Sequence, residues 1–227
     1  MRAAKWFGLV IIAAVHLSTP VRAQTPDDSL RVYAVDVVKT PPFQKQFTGK
    51  GIYLGRGMVI TAAHVVGHWP FFTHPRVLIA GQDLPAKIIK LGSFEQIDLT
   101  LLSVEEDRLP ISLQMRRNPL CKDNPKIGTE VVDVVPGETA RSQIISAKLI
   151  APELRGRFDT LISAPQASGS GLFDAERKCL LGIMSAKVSK HRFQMRNGQI
   201  VGTADGFAGY FVPATKIANF MPPDFHF

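Results

Sequence analysis

Cysteine is scarce in this 227-residue chain: Cys121 and Cys179 are the only two. Two cysteines cannot build the multi-bridge framework of a small disulfide-rich domain, and neither has a partner at metal-ligand spacing. Long apolar runs are lacking as well. Trp6 to Val15 is about half of the roughly 20 residues that a membrane-spanning helix needs, and no later run is longer, which excludes a polytopic membrane protein. No RNP motif, basic helix, Cys/His finger or dinucleotide fingerprint occurs. Gly49-Lys50-Gly51 lacks the upstream Gly and following Ser/Thr of a phosphate loop, so nucleotide binding has no support. There is no internal repeat and no low-complexity segment, and a composition 45% apolar and 20% charged is that of a globular chain.

What is present starts with residues Met1 to Ala23. Arg2 and Lys5 precede the apolar run, and Val21-Arg22-Ala23 stands at the cleavage positions, the pattern of a secretory signal peptide. Its three basic residues and no acidic ones account for part of the formal charge, which falls from +8 to +5 over the remaining 204 residues. A mild positive charge with one short cluster at Lys187, Lys190, His191 and Arg192 reads as solvated surface, not as a nucleic-acid site. The expectation is a secreted or periplasmic monomer, with no nucleic-acid partner and no membrane attachment after signal removal. In an oxidising compartment Cys121 and Cys179 read as one disulfide in preference to two free thiols. Such a bridge closes a loop of about 58 residues and stabilises by roughly 4 kcal/mol.

The mature chain, 24–227, breaks into strand-length apolar or alternating runs. The first set is Leu30 to Val38, Gln46 to Leu54, Met58 to Thr61, Arg76 to Ala80, Ala86 to Leu91 and Leu99 to Ser103. The second is Thr129 to Val135, Gln143 to Ile150, Thr160 to Ala164, Gly171 to Phe173, Cys179 to Ser185 and Phe207 to Val212. Pro110 to Ile127 joins them. Two sets of about six strands predict an all-β chain of two antiparallel barrels or a split sandwich, with a terminal helix over Ala214 to Met221.

Three stretches carry chemistry. Gly49 to Val66 holds two strands and a tight turn followed by Thr61-Ala62-Ala63-His64, and a neutral imidazole there can take and return a proton near working pH. Gln96-Ile97-Asp98-Leu99-Thr100-Leu101-Leu102 sets a carboxylate at the start of an apolar strand. Gln166-Ala167-Ser168-Gly169-Ser170-Gly171-Leu172-Phe173-Asp174 offers two serines in a glycine loop that turns tightly and leaves a cleft open. His64-Val65-Val66-Gly67-His68 has the spacing of a zinc helix, but Val65 stands where the general-base Glu belongs. His68, His74, His191 and His226 are therefore read as scattered surface residues, with no metal and no cofactor.

Together these stretches resemble the trypsin-like serine endopeptidases over about Phe47 to Phe220. The resemblance implies two six-stranded barrels, about 29–115 and 126–212, with the active site between them and the terminal helix at 214–221. It implies His64 as general base, Asp98 as its orienting carboxylate and Ser168 as nucleophile, acting on a polypeptide substrate; Ser170 is the competing nucleophile. The order His, Asp, Ser is that of the double-barrel proteases, unlike the α/β-hydrolase or subtilisin order. Cys121 and Cys179 fall roughly where many members carry a bridge. The amides of Gln166 and Ser168 would form the oxyanion hole, Ile162 would floor the specificity pocket in place of an acidic residue, Ser185 and Gly209 would line its walls, and Lys187 would stand at its rim. Two departures stand out. Gln166 replaces a usual Gly, which gives an alternative reading as a weakly active or inactive binding protein on the same scaffold, and Ala167 replaces the Asp that pairs with a freshly cut N-terminus in zymogen-type relatives.

Overall fold

The computed structural model describes residues 26–39, 46–67, 75–196, 199–223 and 225. The proposed signal segment, Met1 to Ala23, and His68, His74 and His226 lie outside these residues. The first unit comprises β1 (Ala34–Lys39), β2 (Phe47–Gly55), β3 (Met58–Thr61), α1 (Ala63–Val66), β4 (Arg76–Ile79), β5 (Gln82–Pro85), β6 (Lys87–Ser93) and β7 (Ile97–Ser103). A linker containing α2 (Ile111–Gln114) leads to β8 (Glu130–Val135), β9 (Glu138–Ile145), β10 (Leu161–Ile162), β11 (Gly171–Asp174), β12 (Leu180–Arg196), β13 (Gln199–Pro213) and α3 (Ala214–Phe220).

The second unit is the expected closed six-stranded barrel, in the order β10-β13-β12-β11-β8-β9. The first has one strand more than expected. It is a seven-stranded sheet in the order β5-β4-β1-β2-β3-β7-β6, curled as a half-barrel without closing among the described residues. The extra strand is β5, a polar edge strand in which only Leu84 is buried, so no apolar run announces it.

Continuous apolar runs such as Ile52-Tyr53-Leu54 arise because both faces of the strand are buried. Tyr53 points into the first unit with Val35, Val37, Val59 and Leu102. Ile52 and Leu54 point the other way and meet Ile60, Leu99 and Leu101 in one cluster with Val132, Val134, Phe173, Ile183 and Val212 of the second unit. The core thus runs through the contact between the two units and includes Ile217 and Phe220 of α3. Inside the second barrel, Val131, Ile144, Ile162, Leu172, Leu181 and Phe211 pack together.

Two ties reinforce this contact. The disulfide Cys121–Cys179 fastens the linker to the start of β12, with the Cys121 amide donating to the Leu180 carbonyl at 3.0 Å. Ahead of β1, a 3-10 helix over Pro26–Tyr33 lies against the second barrel. Its Asp27, 5% exposed, accepts from Lys178 Nζ at 2.6 Å and Arg141 Nε at 2.9 Å.

Candidate active site

The β2–β3 hairpin turns through Gly55, Arg56 and Gly57, all at positive φ, and delivers β3 directly into α1. The small Ala62 and Ala63 are buried, which lets this single turn of helix sit close to the sheet and leaves His64 at the surface. Gly49 has the complementary role across the hairpin, since a Cβ there would collide with Val65.

Asp98, at the start of β7, is 3% exposed and fully engaged. Its Oδ1 accepts the His64 backbone N–H at 3.0 Å, and its Oδ2 lies 2.8 Å from His64 Nδ1. Ser185 Oγ donates to the same Oδ2 at 2.5 Å. Burial pushes this carboxyl upward, but the hydrogen bonds from His64 and Ser185 outweigh it and hold Asp98 below the ordinary 3.8. The ionised carboxylate favours the imidazole orientation with Nδ1–H toward Asp98, the tautomer whose Nε2 can accept a proton. Phe94 meets the imidazole edge-on at 5.9 Å between centroids and is itself capped by Arg157, 4.4 Å above its ring.

Ser168 enters from the second barrel. Its loop is pinned by Gly169 N–H to the Met184 carbonyl at 2.8 Å, and its carbonyl accepts the Lys50 N–H of β2 at 3.1 Å, a backbone bond between the two units. Gly169 is required here: its φ is +85°, and a Cβ would strike the Lys50 carbonyl. Ser168 and His64 line one cleft of about 480 Å³ together with Lys39, Phe47, Thr48, Gly49, Val65 and Ala167. Ser170 is 0% exposed and cannot reach a substrate in this arrangement. Ser168 Oγ donates to the Ser185 carbonyl at 3.1 Å and makes no hydrogen bond to His64 among the described residues.

The remaining sequence-predicted positions come together in part. Ile162 of β10 and Lys187 of β12 both stand opposite Gly209 of β13 in register, so the three are lateral neighbours. Ile162 is 0% exposed and Gly209 is buried, and a Cβ on Gly209 would come within 2.5 Å of Pro165 Cβ and 2.6 Å of Met184 Cε, so both of these residues lie close against it. Ser185, expected at a pocket wall, is 1% exposed with its side chain turned inward to Asp98, where it supplies the buried carboxylate with a further donor. Lys187, expected at the pocket rim, is exposed.

Gln166 departs furthest from expectation. Its backbone N–H, assigned to an oxyanion hole, donates at 2.9 Å to Oδ2 of Asp133, a residue that sequence reasoning passed over. Asp133 is 0% exposed in the middle of β8, between Val132 and Val134. The signal was there to be read: in Glu130-Val131-Val132-Asp133-Val134-Val135 a lone acid breaks an apolar strand run at a barrel-inward position. Burial raises its carboxyl to about 6, against the stabilising influence of the Ser170 side chain, the Gln166 and Val134 amides and the charge of Lys187.

No protein-family model matches the sequence, and no curated protein does. Solved structures do. The Rv3671c protease from M. tuberculosis, in its active form, is 18% identical, with 96% of this chain and 92% of that one covered and a TM-score of 0.57. HL collagenase is 14% identical over 84% of this chain and 92% of its own, with a TM-score of 0.60. The MamO protease domain from Magnetospirillum magneticum is 20% identical over 86% and 98%, with a TM-score of 0.53. Identities this low speak to architecture alone. The half-barrel and closed barrel, the short C-terminal helix and these neighbours together give the chain the chymotrypsin fold, the architecture of the trypsin-like serine proteases.

Proposed function

We propose that the protein is an exported serine endopeptidase acting on polypeptides through His64, Asp98 and Ser168. The observation that carries this reading is the grip of one buried carboxylate on both the backbone N–H and the ring of His64, with Ser168 across the same cleft. Rotation about the Ser168 Cα–Cβ bond would release its hydroxyl from the Ser185 carbonyl and turn it toward Nε2. Oγ then attacks the peptide carbonyl carbon while His64 Nε2 takes the hydroxyl proton, and the imidazolium is stabilised by Asp98. Collapse of the tetrahedral adduct breaks the C–N bond, and His64 returns the proton to the leaving amine. Water, deprotonated by His64, attacks the acyl-Ser168 ester, and the proton passes back to Oγ as the acid leaves. No cofactor enters these steps.

A second reading, a binding protein on a protease scaffold, is favoured by one observation, the commitment of the Gln166 amide to Asp133. Labelling with a fluorophosphonate separates the two readings. Covalent modification of the mature protein that is lost in Ser168→Ala and kept in Ser170→Ala supports the peptidase. A folded parent that never labels, under any condition that also leaves Gln166→Gly unreactive, removes it.

A further inference from the structure

We infer that Asp133 is a positioning residue for the oxyanion loop, withholding the Gln166 amide from the cleft and so keeping the site latent until the loop rearranges. The inference rests on the reading of Ser168 as a nucleophile and specifies how that site is regulated.

Two features of one loop point the same way. The Gln166 N–H, which would have to face the cleft to meet a developing oxyanion, is turned into the second barrel by a fully buried acceptor at 2.9 Å. The Ser168 hydroxyl is parked on the Ser185 carbonyl. A loop that swings outward from Asp133 would change both at once, because Gln166 and Ser168 are only two residues apart.

The loop also carries the cost that a bistable element needs. The side-chain amide of Gln166, both Oε1 and Nε2, is buried without a protein hydrogen-bond partner. Unpartnered buried polar groups disfavour the state that contains them. Outward movement would bring the Gln166 amide group to water, offsetting the lost bond to Asp133, so the two states can lie close in free energy. The raised pKa of Asp133 has the same origin, a carboxylate placed in an apolar barrel. The carbonyl oxygen of a substrate under attack by Ser168 gains negative charge that only the outward state can meet with the Gln166 N–H, so that state is the one stabilised as the reaction proceeds.

The test uses the mature protein, Asp133→Val and Asp133→Ala, which remove the acceptor, and Asp133→Asn, which keeps one in Oδ1. Fluorophosphonate inactivation rates and hydrogen–deuterium exchange of the Gln166 amide are measured on each folded form, with Ser168→Ala as the blank. One oxyanion donor is worth on the order of 100-fold in rate. The expected result is labelling at least about tenfold faster in Asp133→Val or Asp133→Ala, rescue of the parent rate in Asp133→Asn, and faster Gln166 exchange only in the forms lacking an acceptor. A parent that labels at a rate the apolar variants leave unchanged overturns the proposal and leaves the peptidase reading standing. Gln166 exchange that is the same in all folded forms overturns the proposal whatever the labelling. Release of the amide with no labelling of any form overturns the nucleophile reading, and the proposal with it.

Discussion

Replacing Asp133 by Asn should stabilise the protein at neutral pH and leave it unchanged in acid. The carboxyl is 0% exposed and raised from the ordinary 3.8 to about 6. Because the folded value lies above the unfolded one, its stabilising contribution is fully present below about pH 4 and is lost as the pH rises through 6. At about 1.4 kcal/mol per pH unit, the charged form costs about 3 kcal/mol of folding free energy above pH 7. Asparagine keeps an acceptor for the Gln166 N–H and carries no charge, so it escapes that cost. Urea unfolding of parent and variant between pH 4 and pH 8 measures the difference. It should be near zero at pH 4 and grow to about 3 kcal/mol at pH 8. Carboxylates held below 3.8, such as Asp27, Asp98 and Asp174, are common to both forms and cancel. A difference that does not change with pH would refute the reasoning, since it would mean that Asp133 has the same pKa folded and unfolded.

Other outcomes follow from particular contacts. Ser185→Ala removes a 2.5 Å bond to the buried Asp98. A hydrogen bond to a charged group is worth about 1.5–3 kcal/mol, so the labelling rate of Ser168 should fall at least about tenfold while the fold survives, as read by circular dichroism. Gly169→Ala sets a Cβ against the Lys50 carbonyl at φ +85° and should destabilise by about 2 kcal/mol or more in thermal unfolding. Cys179→Ser opens a bridge spanning 58 residues of sequence and should lower unfolding free energy by roughly 4 kcal/mol, matched by the parent in reductant. Asp27→Asn should cost about 1 kcal/mol at pH 7, since Arg141 is largely exposed. Burial opposes ionisation of Asp27, yet Lys178 and Arg141 hold its carboxyl below 3.8, so that difference should vanish as the pH falls below this value.

The strands with a buried face were legible in sequence, because burial writes itself as Val, Ile and Leu. β3 was placed to the residue, and the second barrel followed from its apolar runs. The errors fall where polar or mixed sequence forms a strand or where an apolar run does not. Leu30 to Tyr33 continues a 3-10 helix instead of opening β1. β9 begins five residues earlier than its apolar stretch, at Glu138, and stops at Ile145, where Ser146 caps a 3-10 turn. β12 and β13 run well past their apolar segments as a long hairpin. At the site, Thr61 to His64, Asp98 and Ser168 could be picked out as a pattern of residues. The direction in which the Gln166 amide points could not, because it depends on a carboxylate 33 residues away whose side chain no local pattern connects to it.

The strap ahead of β1 also fixes an order of events. Asp27 lies 151 residues before Lys178 and 114 before Arg141. Synthesis from the N-terminus presents Asp27 long before either cation exists. The pair with Arg141 becomes available once β9 has been made, and the pair with Lys178 only just ahead of β12. Full docking of this short helix therefore requires the chain through Lys178, and a chain cut short before that residue would hold Asp27 by Arg141 alone.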